Sequence, residues 1–296
     1  MGELILVSGF LGAGKTTLLR RILAENRGKR MALLENEFGT CSVDDLLLQR
    51  GGVPVRTLAS GCVCCSLALE FTRAVAELTA EFQPELLLVE PSGVAGLSDL
   101  LRSCAPLPPG LDRVRAITVV DAQMHPVYAE EMGDFYWDQI RFCGALVCSK
   151  LDLVTPEERE NLAAQLAREN PGAAVFCCPW EHLDMPTLLD APPQPEPDEH
   201  HHHHHHAGAV FTSLALHPAQ ARTAEEWEKR LAALGDKSCG QVLRAKGILP
   251  AAGGGMVQVD YTPAEVWVRP WPDGGESILT VIGTRLEQEA ITRQLG

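Results

Sequence analysis

No stretch of this 296-residue chain stays apolar for the roughly 18 residues that a membrane-spanning helix needs, so no bilayer span is expected. Positive charge is also short: 25 Lys and Arg stand against 39 Asp and Glu, for a formal net charge of -14. A surplus of that sign repels a phosphate backbone, which argues against general nucleic-acid binding and makes cations the more natural partners. The opening run MGELILVSGFLGAGK carries Glu3 where a secretory leader has positive charge, and Leu6 stands where a myristoylation signal has Ser or Thr. Neither leader nor lipid anchor is expected, and the predicted location is cytoplasmic, where thiols stay reduced. Ten cysteines in that setting argue against a disulfide framework.

What is present is enough apolar sequence for a real core, in one large domain plus a smaller one. The runs ELILVS, RMALLE, PELLLVE, RVRAITVVD, ALVCSK and AAVFCC read as strands apolar on both faces. Helical patterns lie between them at 17–25, 67–82 and 156–169, the last opening on Thr155-Pro156 as cap and first-turn proline. This alternation predicts an α/β fold, a mostly parallel sheet covered by helices over 1–190, with ligands at the carboxyl ends of the strands. A proline-rich, acidic and then histidine-rich linker follows at 191–209, including seven consecutive histidines at 200–206. Residues 210–296, with five strand-like runs and helical patterns near 224–234 and from Leu286, predict a small α+β domain.

The segment GFLGAGKTT at 9–17 follows the first strand and opens the first helix, matching the phosphate-binding pattern G-x-x-x-x-G-K-[ST] in its required context. Gly9, Gly12, Ala13 and Gly14 let backbone N–H groups wrap phosphates, Lys15 reaches the β and γ oxygens, Thr16 offers its hydroxyl to Mg²⁺, and Thr17 completes the expected nucleotide-binding loop. Glu90, ending LLLVE, is the expected acidic member of the Mg²⁺ shell, and Gly93 can bring a backbone N–H toward the γ-phosphate. Lys15, Thr16 and Glu90 are thus the candidate catalytic set. SKLD, with Ser149, Lys150 and Asp152, resembles the [NT]-K-x-D box in which an aspartate accepts hydrogen bonds from N1–H and the exocyclic amine of guanine. Adenine presents the wrong edge there, so GTP is expected over ATP. Ser149 departs from the usual Asn.

Cys62, Cys64 and Cys65 sit together in SGCVCCS at 60–66. Such thiolates suit Zn²⁺, or Co²⁺ and Cu⁺, and not Mg²⁺ or Ca²⁺. A buried cysteine cluster and a redox pair at the C-x-x-C spacing of Cys62 and Cys65 are the alternatives. The fourth metal position is open to water, to a carboxylate such as Glu37, or to a partner's transient ligand. The histidine run reads either as a weak, fast-exchanging metal reservoir or as a solvated spacer.

With these residues in hand, the chain resembles the CobW-like GTPases, a family of metal chaperones related to the urease and hydrogenase accessory GTPases. The likeness rests on the phosphate loop, NEFG at 36–39 with Val43-Asp44, GCVCC at 61–65, E-x-S-G at 90–93, VLRAKGIL at 242–249 and IGTRL at 282–286. It implies a P-loop NTPase domain with a family-specific C-terminal domain, and a GTPase of slow intrinsic turnover. It also implies transfer of a metal, zinc foremost, from the C-x-C-C motif to a client metalloprotein; a homodimer is left open. The motif's position between NEFG and Glu90 would let nucleotide and metal bias one another. Two competing readings are a metal buffer that uses GTP only as a conformational ligand, and a small-molecule kinase, for which no arginine-rich lid is found.

Overall fold

A computed structural model describes residues 2–37, 53–59, 66–91, 93, 95–197, 211–272 and 274–295. The chain divides into two compact units, which among the described residues are 2–197 and 211–295. Cys62, Cys64, Cys65 and the histidine run lie outside the described residues.

The first unit is a seven-stranded, all-parallel sheet. Its strands are β1 (Gly2–Gly9), β2 (Met31–Glu37), β3 (Val55–Ala59), β4 (Leu86–Glu90), β5 (Leu111–Asp121), β6 (Ala145–Ser149) and β7 (Ala174–Phe176), in the order β3-β2-β4-β1-β5-β6-β7. Its helices are α1 (Lys15–Glu25), α2 (Ser66–Phe82), α3 (Leu97–Ser103), α4 (His125–Glu131), α5 (Gly133–Arg141), α6 (Pro156–Glu169) and α7 (Met185–Leu189). In β1, Leu4 and Leu6 point to one face and Ile5 and Val7 to the other, and all four are buried. Burial on both faces is why the central strands read as continuous apolar runs. On one face α1 buries Leu18, Leu19 and Ile22 against Ile5, Val7, Leu33, Leu88, Val119 and Val147. Helix α6 starts where the sequence predicts: Thr155 caps it in a capping box with Glu158, Pro156 occupies the first turn, and Leu162 and Leu166 are buried.

Strand β1 lies at the centre, with β4 on one side and β5 on the other. Strand order therefore reverses at β1, and a crevice opens beyond its carboxyl end. Helix α1 begins at Lys15, two residues earlier than its apolar pattern indicates. Strand β3 and helices α3, α4, α5 and α7 are additions to what the sequence predicts. β3 is an edge strand in which charged Arg56 interrupts the apolar run, and α4 and α5 are short and separated at Gly133, whose φ is 48°.

The second unit is a five-stranded antiparallel sheet of β8 (Thr212–Leu216), β9 (Gln241–Pro250), β10 (Met256–Tyr261), β11 (Val266–Trp271) and β12 (Ile278–Thr284), ordered β11-β10-β9-β12-β8. Helices α8 (Ala224–Ala232) and α9 (Gln288–Leu295) supply Trp227, Leu231, Ile291 and Leu295 to a core with Leu249, Val257, Val259, Leu279 and Val281. No helix among the described residues is long and apolar enough to cross a membrane.

Candidate functional site

The turn from β1 into α1 needs backbone geometry that side chains resist. Gly9 has φ 142°, and a Cβ there would lie 2.5 Å from the carbonyl oxygen of Val119 on β5. Gly12 and Gly14 are also left-handed, at φ 72° and 103°. Gly14 is the N-cap of α1, with no side chain of its own to bond the first turn, and that turn holds no acidic residue. A helix N-terminus so arranged offers its N–H groups and positive dipole end to an anion. Lys15 is buried and folds over the loop, its Nζ donating to the carbonyls of Gly9 at 3.0 Å and Phe10 at 3.3 Å.

Thr16 and Glu90 meet between the start of α1 and the end of β4: Thr16 Oγ1 donates to Glu90 Oε1 at 3.1 Å and Oε2 at 3.2 Å. These are hard oxygen donors, the chemistry that Mg²⁺ takes, so the pair fits a Mg²⁺ shell. Gly93, just beyond β4, packs on the loop itself; a Cβ there would lie 2.9 Å from both the backbone nitrogen and Cδ2 of Leu11. Gln139 of α5, buried, holds the same segment by donating its amide to the carbonyls of Gly93 and Ala95, each at 3.2 Å.

At the end of β6, Ser149 Oγ donates to the carbonyl of Ala13 at 2.7 Å and to that of Val120 at 3.3 Å. Its short side chain therefore reaches the loop backbone and ties β6 to it. Lys150 adopts φ 53° and pairs through Nζ with Asp121 Oδ2 at 2.9 Å. The other oxygen of Asp121 accepts from the backbone N–H groups of Gln123 at 3.0 Å and Met124 at 3.1 Å. Asp152 follows in the turn Leu151–Leu153 with its side chain exposed, where a ligand can meet it.

Direct contacts thus join Gly9 to Lys15, Ala13 to Ser149 and Thr16 to Glu90, with Gly93 packed on Leu11 of the same loop. Sequence reasoning missed Asp121, Gln139 and Trp180. Trp180 Nε1 donates to the carbonyl of Cys148 at 2.7 Å, its ring would stand 3.5 Å from a Cβ on Gly14, and its own carbonyl accepts from Arg21 of α1. Asp121 had a signal, as an acidic residue ending a strand beside the loop strand. Trp180 had none, because it arrives by tertiary packing. Among the described residues no group of three or more His, Cys, Asp or Glu side chains is arranged to hold a metal ion.

Known proteins resemble this chain in sequence and in fold. A zinc chaperone of Escherichia coli (strain K12), YjiA, is 33% identical over 196 residues, covering 62% of this chain and 60% of the relative. The zinc chaperone CobW of Pseudomonas aeruginosa is 29% identical over 225 residues, covering 62% of this chain and 58% of the relative. The chain therefore spans about 60% of the length of these curated relatives. The crystal structure of Zn(II)-bound YjiA GTPase from E. coli aligns over 99% of this chain and 97% of that one, at 24% identity and a TM-score of 0.44. The model described as "CobW/HypB/UreG, nucleotide-binding domain" matches residues 3–177, more than half of the chain, and the protein belongs to that family.

Proposed function

We propose that this protein is a GTP-hydrolysing metallochaperone that carries a transition metal, zinc foremost, on Cys62, Cys64 and Cys65 and passes it to a client metalloprotein. The contact of Thr16 with Glu90, beside a lysine folded into a glycine loop, carries the nucleotide half of this reading. The loop N–H groups at the start of α1 hold the phosphates, and Lys15 turns from the carbonyls of Gly9 and Phe10 to the phosphate oxygens, where its charge offsets what develops on the transferred phosphoryl group. Thr16 and Glu90 would hold Mg²⁺, which supplies charge neutralisation at the phosphate oxygens. Gly93, packed against Leu11, brings its N–H toward the terminal phosphate. Asp152 accepts the N1–H and exocyclic amine of guanine while the Lys150 stem lies along the base. Water attacks the terminal phosphorus, and GDP and inorganic phosphate leave.

The metal half rests on thiolate chemistry and on kinship with proteins named zinc chaperones. Three thiolates leave one coordination position for Glu37, for water or for a ligand of the client, which lets cargo leave. Such a carrier works in the cytoplasm, where its thiols stay reduced. GTP turnover by the purified protein with Mg²⁺, with and without saturating Zn²⁺, tests the reading. Slow hydrolysis that disappears in Lys15→Ala, with the circular dichroism spectrum unchanged, is expected. Binding of GTP without turnover, even with saturating metal, would replace the chaperone by a metal buffer that uses GTP as a conformational ligand.

A further inference from the structure

Six cysteines fall among the described residues, and two of them face each other. The β6–β7 ladder runs in parallel register to Val147↔Phe176, so Cys148 and Cys177 stand opposite one another one step further along. Parity agrees: Val147, Phe176 and Cys178 pack on the α1 side of the sheet, which leaves Cys148 and Cys177 together on the other. Neighbouring strands lie about 4.8 Å apart, inside the Cα separation of about 4.4–6.8 Å that a disulfide spans. Cys148 and Cys177 lie close enough for each thiol to bear on the other's ionisation, and Cys177 Sγ donates to the carbonyl of Arg159 at 3.6 Å. Cys148 is fully buried, while Cys177 is partly open to solvent.

The pair has different chemistry from the other thiols. Burial pushes Cys104 and Cys143 up to about 12, which leaves them inert. Cys177 moves the other way: the neighbouring Cys148 thiol and then the positive charge of Arg159 hold it below the usual thiol range, while Cys148 is raised. The carbonyl of Cys148 accepts from Trp180, and the next residue, Ser149, is bonded to the phosphate loop.

We infer that Cys177 and Cys148 form a peroxide-reactive dithiol that closes to a disulfide at the edge of the nucleotide site and weakens nucleotide binding when oxidised. The Cys177 thiolate attacks one oxygen of hydrogen peroxide; the O–O bond breaks, a sulfenic acid forms and the departing hydroxide takes up a proton as water. Cys148 then gives up its proton and attacks that sulfur. The S–S bond forms, the S–O bond breaks, and the hydroxide leaves as a second water. Two thiols are oxidised by two electrons in total and one peroxide is reduced. The cross-link ties the strand carrying Ser149 and Lys150 to the segment carrying Trp180. Its effect on nucleotide binding rests on the guanine-nucleotide reading of that strand; the disulfide itself does not.

The full-length protein, treated with hydrogen peroxide, is digested and its cross-linked peptides are fragmented by mass spectrometry, and GTP affinity is measured before and after. A Cys148–Cys177 disulfide is expected, together with a drop in GTP affinity of roughly 5-fold or more that dithiothreitol reverses, a size usual for coupled sites. Cys177→Ser, a change at a partly exposed position, is expected to lose both the cross-link and the drop, while Cys178→Ser keeps both. Linkage to other partners, or oxidation of Cys177 no faster than of Cys104 and Cys143, overturns the dithiol. The mapped disulfide with unchanged GTP affinity overturns its effect on the nucleotide site. Failure of the reduced protein to bind GTP at all contradicts the guanine-nucleotide reading instead.

Discussion

In the proposed function, Asp152 makes the purine choice through its two carboxylate oxygens. Replacing it with Asn puts an N–H donor where guanine presents its own donors, and that donor suits the O2 of xanthine. Asp152→Asn is expected to weaken GTP and admit xanthosine triphosphate, read by competition binding; unchanged GTP affinity with no xanthosine binding would contradict the assignment. Gly93 makes a second, steric test. A methyl group there meets the Leu11 backbone nitrogen at 2.9 Å, so Gly93→Ala has to push this segment off the loop. Displacement of that size at a reacting centre costs on the order of 10- to 100-fold in rate. Single-turnover GTP hydrolysis is expected to fall by that much with the melting temperature little changed, and normal turnover would remove Gly93 from the site. Lys15, Thr16 and Gly9 were legible in sequence because a phosphate loop is built from consecutive residues. Gln139 and Trp180 were not, because Gln139 reaches Gly93 from 46 residues away and Trp180 reaches Gly14 from beyond β7, both through tertiary packing, while Asp121 showed only as an acidic residue ending a strand.

At the scale of elements, the central strands and α1, α2 and α6 follow from apolar period and capping, since burial on two faces or on one helical stripe leaves a plain pattern. Strand β3 escapes for the opposite reason. It is an edge strand, pairing among the described residues only with β2, and Arg56 breaks its apolar run. Helices α4 and α5 escape because Gly133 breaks what would be one long amphipathic stretch. In the second unit, α8 is anchored by Trp227, which is fully buried and donates its indole N–H to the carbonyl of Pro250 at 2.9 Å. Arg222 lies over its ring at 5.2 Å. Trp227→Ala leaves a cavity and an unmet carbonyl, and a loss of about 3–5 kcal/mol in denaturant stability of this unit is expected. Chemical unfolding followed by circular dichroism checks it, and a change under about 1 kcal/mol would mean that α8 is held elsewhere.

For the whole molecule, an acidic chain with a thiol triplet and a nucleotide loop joins two chemistries that prefer different metals. Hard oxygens at Thr16 and Glu90 suit Mg²⁺, and soft sulfurs at Cys62, Cys64 and Cys65 suit Zn²⁺, so under the proposed function each site would discriminate against the other's ion. Replacing the three cysteines with serine is expected to remove about one tightly bound Zn²⁺ per chain, since a neutral hydroxyl replaces a thiolate. Deleting 200–206 is expected to remove only weak, rapidly exchanging metal; elemental analysis after dialysis separates the two. The central claim is that nucleotide state controls the hold on metal. Zn²⁺ affinity, measured by chelator competition with thiols reduced and Mg²⁺ present, tests it most directly when a non-hydrolysable GTP analogue is compared with GDP. Affinities that differ by roughly 5- to 150-fold, the range of an ordinary allosteric coupling, are expected, whereas equal affinities in the two nucleotide states would contradict that control.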